Sequence, residues 1–213
     1  ELRAEYKDTK LFGVWSGAQF QLHTTNKPIH NIDDIKGLKI GAITASAAPT
    51  ITALGASPVS VPLSDPYLAL MRGQVDAMAA PYAFVVSTKI YEATKFSTTT
   101  SLLGNGMYFC MNRDIYESMP EDLRTILDET LNNERFVSFA KVTDQGALHD
   151  IETIKQAGQQ IFEFSAEDLE RGRKLTQPVV DEWIADCEKR GQGDIARKLY
   201  DRAVELVAQY SGQ

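Results

Sequence analysis

The hydrophobic and polar positions between Gly37 and Tyr82 follow a pattern that predicts two consecutive βαβ units. Short apolar or alternating runs bounded by glycine or proline are typical of strands, and three such runs occupy residues 38–41, 57–62 and 74–79. Helices are predicted between these strands, each followed by a glycine that suits a helix end, over residues 45–54 and 65–72. Ser64 is the expected N-cap of the second helix.

The carboxyl ends of these strands are the expected site of a ligand. Strands joined by crossover helices run parallel, and such sheets bind ligands in the crevice outside their carboxyl ends. We therefore expect the binding residues in the three strand-to-helix corners, residues 41–46, 63–67 and 80–82.

The flanking sequence adds further strands and many helical residues. Apolar or alternating runs predict strands over residues 11–15, 19–24, 95–100, 106–111 and 160–164. Helices are predicted over residues 84–92, 166–190 and 193–209, and residues 1–10 have the composition of a helix end. A helical pattern starting at Pro120 continues towards Gly158 and predicts one long helix with a kink near Gly146. Alternating strands and helices predict an α/β fold.

Composition and charge argue against several classes of function. The 213 residues include 22 basic and 29 acidic side chains, for a formal net charge of −7. No lysine–arginine cluster or basic–aromatic stripe is present, so no nucleic-acid partner is predicted. No apolar run approaches the roughly 20 residues that cross a bilayer. Cys110 and Cys187 fit no zinc or redox spacing. The sequence is compatible both with a disulfide between them and with two separate thiols.

Sequence motifs for catalysis or metal binding are absent. The chain contains no GxSxG, P-loop, HExxH or GxGxxG segment, and its three histidines do not lie at metal-ligand spacing. Asp76 could act as an acid, but no base or nucleophile accompanies it, so we interpret it as ordering a strand end. His23 lies on a predicted strand beside the central stretch, and we weigh it as structural first and as a ligand contact second. We predict no enzyme activity, no cofactor and no metal.

The order of several motifs resembles a known family. The segments DIKGLKI, ALGASPVSVPLSDPYLALMRGQVDA and MNRDIYESMPEDLRTIL follow one another as in the extracytoplasmic solute-binding proteins of TRAP transporters, the DctP-type family. Each segment alone is a weak signal, whereas the ordered set is specific. The resemblance covers residues 11–210.

The resemblance implies a periplasmic binding protein-like α/β fold of type II, with two lobes and a spanning helix. It implies that residues 19–105 plus 147–213 form lobe two, apparently complete. Residues 1–18 plus 106–146 would then be the remnant of lobe one, with hinge strands and the spanning helix. The family's usual chain is longer at the N-terminus, so the first part of lobe one is expected to be missing here.

The resemblance also bears on the ligand. The family typically has arginine after GLKI, where it clamps a ligand carboxylate through two hydrogen bonds; here the residue is Gly41. A second basic position falls on Gln21, and a polar position before a proline falls on Ala80. We therefore expect a ligand that depends less on charge, such as an aromatic acid, in a site enlarged by Gly41 and Ala80. The full set of predicted ligand contacts is Gln21, His23, Gly41, Thr44, Ser46, Leu63, Tyr67, Ala80, Tyr82 and Asn105.

The sequence is consistent with two functions. The first, implied by the resemblance, is a periplasmic solute-binding protein that captures a small organic acid between two lobes and delivers it to the membrane permease subunits of a TRAP transporter. The alternative is a truncated sensing or interaction protein on the same fold that no longer binds such a ligand. In that case a homodimer could cover the exposed sheet edge of the incomplete lobe.

Overall fold

The computed structural model describes residues 6–210, which contain eight strands and nine α-helices. The strands are β1 (Thr9–Ser16), β2 (Phe20–Thr24), β3 (Lys39–Ala42), β4 (Ser57–Ser60), β5 (Ala77–Ala80), β6 (Phe96–Leu103), β7 (Gly106–Asn112) and β8 (Gln160–Glu163). The helices are α1 (Ala48–Ala53), α2 (Pro66–Met71), α3 (Tyr82–Ser87), α4 (Ile90–Ala93), α5 (Arg113–Ser118), α6 (Glu121–Thr130), α7 (Asn133–Gln156), α8 (Ala166–Lys189) and α9 (Gly193–Tyr210). Short 3-10 turns occupy Ile32–Ile35 and Ala45–Ala47.

Six strands form one mixed sheet in the order β4–β3–β5–β2–β6–β8. β3 lies between β4 and β5 and is parallel to both, which confirms the predicted βαβ units. β2 is antiparallel to β5 and β6, so the beginning of β2 lies at the edge where its neighbours end. β1 and β7 pair in a separate antiparallel ribbon.

Apolar clusters cover both faces of the six-stranded sheet. Successive strand residues point to opposite faces, so Ala77 and Ala79 of β5 join one cluster while Met78 and Ala80 join the other. The cluster around Met78 also contains residues of α2, α3 and α7. All four residues of β5 are buried, as expected for a central strand covered on both sides.

The segment from Pro120 to Gly158 forms two helices, so the prediction of one long helix kinked near Gly146 is wrong. α6 ends at Thr130, and α7 begins after Asn132. The Asn132 side chain accepts a hydrogen bond from the backbone N–H of Arg135 at 2.9 Å, the bond by which an N-cap residue starts a new helix. α7 then continues through Gly146 without a break.

Three other local predictions also need correction. Residues 84–92 belong to two helices, α3 and α4, because Lys89 adopts a left-handed conformation with φ 57°. Thr9 and Lys10 lie in β1 rather than in a helix end, and residues 1–5 of that prediction lie outside the described residues. Ser64 does not cap α2; Asp65 occupies the N-cap position, without a side-chain bond.

Two short connections join the ribbon to the six-stranded sheet. One runs from Gly17 to Gln19, between β1 and β2, and the other comprises Gly104 and Asn105, between β6 and β7. The backbone N–H of Gly17 donates to the carbonyl of Asn105 at 2.8 Å. A Cβ on residue 17 would overlap Asn105 Oδ1, so a larger residue there would displace the Asn105 side chain. The division into two lobes at these connections stays a prediction.

Candidate ligand site

The predicted corners after β3 and β5 meet at one edge of the six-stranded sheet. Gln21, at the start of β2, lies opposite Ala80, the last residue of β5. Ala42, the last residue of β3, pairs with Ala79. The corner after β4 lies farther along the same edge, where Leu63 is 62% exposed and Tyr67 is half-buried.

His23 is buried behind this edge and contacts only protein groups. Its ring lies between neighbouring strands, with Nδ1 2.8 Å from Ser97 Oγ and Nε2 3.1 Å from the carbonyl oxygen of Ala80. Burial lowers the pKa of His23 to about 4, which keeps the ring neutral at pH 7. Because both ring nitrogens have protein partners, the structure favours the structural interpretation of His23 over a direct ligand contact.

Tyr82 lies beside His23 at the corner after β5. The two rings pack edge to face with centroids 5.6 Å apart, and the tyrosine hydroxyl lies 3.1 Å from Thr99 Oγ1. Burial is the main cause that raises the pKa of the Tyr82 hydroxyl. Ser97 and Thr99 were not predicted from the sequence, although the run of hydroxyl side chains in FSTTTS was a signal for a strand with polar partners.

Gln21 has its side-chain amide bound to the backbone. Its Oε1 accepts a hydrogen bond from the N–H of Thr100 at 3.1 Å, and its Nε2 donates to the carbonyl of Gln19 at 3.4 Å. The residue is buried. A neutral amide held in this way cannot supply the positive charge of the basic residue that the family resemblance implies at this position.

Gly41 leaves no open space, so the expected enlargement of the site is wrong. Gly41 lies opposite Met78 in the pairing of β3 with β5. A Cβ on residue 41 would overlap Met78 Sδ and lie 3.1 Å from Val61 Cγ2. Ala80 is fully buried. The Met78 side chain therefore fills the volume that a larger residue at position 41 would need, and only the backbone of Gly41 remains a predicted contact.

The remaining predicted contacts lie in less buried positions. Thr44 is half-buried, and the Ser46 hydroxyl donates to Thr44 Oγ1 at 3.3 Å. Asn105 is half-buried in the connection beside Gly17. Their roles as ligand contacts stay predictions.

Four cavities lie away from these residues. Two of them, of about 890 and 550 Å³, adjoin α8 and α9. A cavity of about 300 Å³ lies between β4 and α2, and one of about 170 Å³ lies beside Lys10 and Arg113. None of the ten predicted contacts lines any of these four cavities, although Asp65, in the corner after β4, lines the one of about 300 Å³. The predicted contacts thus do not enclose these cavities.

The residue types that usually ligate metals do not form a cluster in the described part of the chain. Between residues 6 and 210, no group of three or more His, Cys, Asp or Glu side chains could hold a metal ion. Cys110 and Cys187 are both free thiols. None of the helices in this part of the chain is long and apolar enough to span a membrane.

The mixed sheet with a hinge-like ribbon is the fold of type II periplasmic binding proteins, and solved structures confirm this class. A TRAP solute-binding protein from Rhodoferax ferrireducens T118 in complex with copurified benzoate superposes with a TM-score of 0.86 at 27% identity, covering 97% of this chain and 65% of that chain. A marine metagenome TRAP solute-binding protein specific for aromatic acid ligands, in complex with 3-hydroxybenzoate, gives a TM-score of 0.84 at 25% identity over 98% and 66%.

The chain belongs to the DctP family, the bacterial extracellular solute-binding proteins of family 7, whose family model matches residues 2–186. The C4-dicarboxylate-binding periplasmic protein DctP of Rhodobacter capsulatus is 28% identical over 184 residues, 84% of this chain and 54% of that protein. The chain spans about half the length of the curated relatives it matches. The predicted family and extracytoplasmic, periplasmic location are confirmed, and members of this family bind solutes and are not enzymes.

Proposed function

We propose that this protein is the solute-binding component of a TRAP-type transporter and delivers a small organic acid to a membrane permease. The observation that carries the proposal is the meeting of the ends of β3 and β5 with the start of β2, directly beside the two connections to the ribbon, in a chain of the DctP family. A ligand held at this edge can contact both sides of a hinge. Contacts to both sides would stabilise a closed state relative to an open one.

The ligand class that fits this edge best is an aromatic monocarboxylate. Gln21 is neutral, Gly41 is packed against Met78, and Ala80 has no polar side chain. A buried carboxylate without a cation is costly, so the second charge of a small dicarboxylate would be penalised. An aromatic ring would instead add apolar area next to the cluster of Met78 and Tyr82. The benzoate and 3-hydroxybenzoate complexes of the two solved relatives support the same class.

Calorimetry and thermal unfolding with four acids test the proposal. We expect benzoate and 3-hydroxybenzoate to bind and raise the melting temperature, with orotate weaker and succinate inactive. Tight binding of succinate would contradict the aromatic class while leaving the receptor function in place. Absence of a response to all four acids would contradict the receptor function.

A second candidate function is self-association through an apolar surface. Helices α5, α6 and α7 expose large apolar side chains, including Ile115, Ile126 and Val142, which are 59%, 56% and 62% exposed. A contiguous patch of exposed apolar side chains marks an interaction surface, and if these residues form one, the partner we propose for it is a second copy of this chain. Light scattering over a range of concentrations tests this candidate. A dimer that Val142→Glu dissociates would support it, and a monomer at all concentrations would contradict it.

A further inference from the structure

A buried chain of polar groups connects the corner after β5 with the segment before β8. It runs from the carbonyl of Ala80 through His23 and Ser97 to Gln159, with contacts of 3.1, 2.8 and 2.6 Å. The exposed fraction of each of these four residues is 6% or less. Buried polar groups of this kind are costly unless they are hydrogen-bonded, so the chain fixes the positions of its members.

The acceptor at one end determines the tautomer of His23. A carbonyl oxygen can only accept, so the proton of the neutral ring must be on Nε2, where it is donated to Ala80. Nδ1 is then an acceptor and can accept a hydrogen bond from the Ser97 hydroxyl.

The other end of the chain leaves Ser97 with two acceptors for one proton. Gln159 Nε2 donates to the carbonyls of Tyr91 and Thr94 at 3.1 and 3.2 Å, which directs Gln159 Oε1 towards Ser97 Oγ. The Ser97 hydroxyl therefore serves either Nδ1 of His23 or Oε1 of Gln159. In both arrangements Nε2 of His23 keeps its proton and donates it to the Ala80 carbonyl, whereas the other two contacts share the single proton of Ser97.

Besides the contact of the Tyr82 hydroxyl with Thr99, the corner that His23 contacts has few side-chain polar restraints. Pro81 follows Ala80 and has no N–H, and α3 starts without a side-chain capping bond. His23 contacts this corner twice, through the hydrogen bond to Ala80 and through the ring of Tyr82. These contacts fix both the end of β5 and the first residue of α3.

We propose that His23 is a positioning residue for the ligand site: its Nε2–H holds the Ala80 carbonyl, and with it the corner from Ala80 to Tyr82, in the orientation that receives the ligand. The proposal rests on the proposed function, because that corner is where the ligand is expected to bind. It differs from a direct ligand contact, which was the second of the two roles weighed for His23 from the sequence.

Two substitutions and a matched control test the role. The amide of Gln in His23→Gln can still donate to Ala80, whereas His23→Leu removes the donor. With benzoate as the probe, we expect His23→Leu to weaken binding by about tenfold, the equivalent of one buried hydrogen bond, and His23→Gln to stay within about threefold. The control is Ile154→Val, which shortens a fully buried side chain in the apolar cluster that also contains Ala80 and Tyr82. This variant should lower the stability of the protein without changing the benzoate Kd.

A readout on the unliganded wild-type protein separates this proposal from the proposed function. Long-range ¹H–¹⁵N spectra should show His23 as the neutral Nε2–H tautomer at pH 7, and amide exchange at residues 82–85 should rise in His23→Leu but not in Ile154→Val. The Nδ1–H tautomer, or equal exchange and equal affinity in the two variants, would overturn the positioning role. Failure of the wild type to bind benzoate would count against the proposed ligand, and the NMR results would still decide the role of His23.

Discussion

Met78 of β5 lies directly opposite Gly41 of β3, and its sulfur occupies the volume that a side chain on residue 41 would need. The two residues therefore act as one packing unit at the centre of the sheet. Because Met78 is fully buried, this unit belongs to the apolar cluster, and the position that resembles an arginine clamp in sequence is packed against sulfur and Val61.

Substitution of Gly41 by Ala should destabilise the protein. The added methyl group would force Met78 to move inside a packed core, and overpacking of this kind costs about 1–3 kcal/mol. Met78→Ala alone should cost about 2–5 kcal/mol by leaving a cavity. In the double variant the methyl group enters that cavity, so the free energies of unfolding, measured by urea denaturation, should fall by less than the sum.

Gly146→Ala is the control for the Gly41 prediction. Gly146 lies inside α7, and nothing would contact a Cβ at this position. Alanine is favoured over glycine in a helix by about 0.5–1 kcal/mol, so this variant should be more stable than the wild type. A stable Gly41→Ala protein, or strict additivity with Met78→Ala, would contradict the packing argument.

The stability of the protein should depend on pH through His23. Burial lowers its pKa from 6.5 to about 4, so between these pH values the unfolded state binds more protons than the folded state. The stabilisation is therefore complete above pH 6.5 and is lost as the pH falls towards 4, with a total of roughly 3 kcal/mol. Urea denaturation between pH 4.5 and 7.5 should show this decline.

The His23→Gln variant isolates this contribution. Tyr82, whose pKa is raised, faces the imidazole and does not titrate in this range. His23→Gln should therefore have a flatter stability profile between pH 4.5 and 7.5 than the wild type. Equal slopes for the two proteins would show that His23 is not the group responsible.

Gly17 and Asn105 offer a test of the predicted contact at the hinge. A methyl group on residue 17 would displace the Asn105 side chain, which is only half-buried and can move. If Asn105 contacts the ligand, Gly17→Ala and Asn105→Ala should weaken benzoate binding by similar factors, and the double variant should be no weaker than either. Additive losses in calorimetry would place the two residues in independent roles.

Asn132→Ala should weaken the start of α7. The Asn132 side chain accepts the N–H of Arg135, and loss of such a cap costs about 1 kcal/mol. The exposed Gln145 in the middle of the same helix supplies the control, because Gln145→Ala removes no cap and should change stability by less than about 0.5 kcal/mol. Equal effects of the two substitutions in urea denaturation would contradict a capping role.

Local sequence signals located most elements but not their arrangement. The predicted helices 166–190 and 193–209 match α8 and α9 within one residue at each end, because glycine at positions 191 and 193 marks the boundary. Asn31 caps the 3-10 turn at Ile32–Ile35, with Asp34 completing a capping box. The break before α7 was missed because the apolar pattern continues across it, and one side-chain bond from Asn132 decides the boundary.

For the candidate site too, local sequence signals located some residues but not the contacts between distant strands. The corner residues follow from strand ends that can be recognised along the chain, so Ala80, Tyr82 and Gly41 were predicted at the sheet edge. Ser97, Thr99 and Gln159 were not predicted, because Ser97 contacts His23, and Thr99 contacts Tyr82, only when β2 is inserted between β5 and β6, while Gln159 joins through Ser97. That insertion is antiparallel and joins segments more than fifty residues apart, as in the 57-residue separation of His23 and Ala80.

The sequence by itself determined the α/β class, the two βαβ units and the DctP family, because hydrophobic periodicity, glycine and proline positions and motif order are properties of neighbouring residues. Only the tertiary structure decided that Met78 fills the space beside Gly41 and that both nitrogens of His23 are used inside the protein. The physical reason is that packing and hydrogen-bond partners are set by strand order and register, which bring together side chains that no local pattern connects.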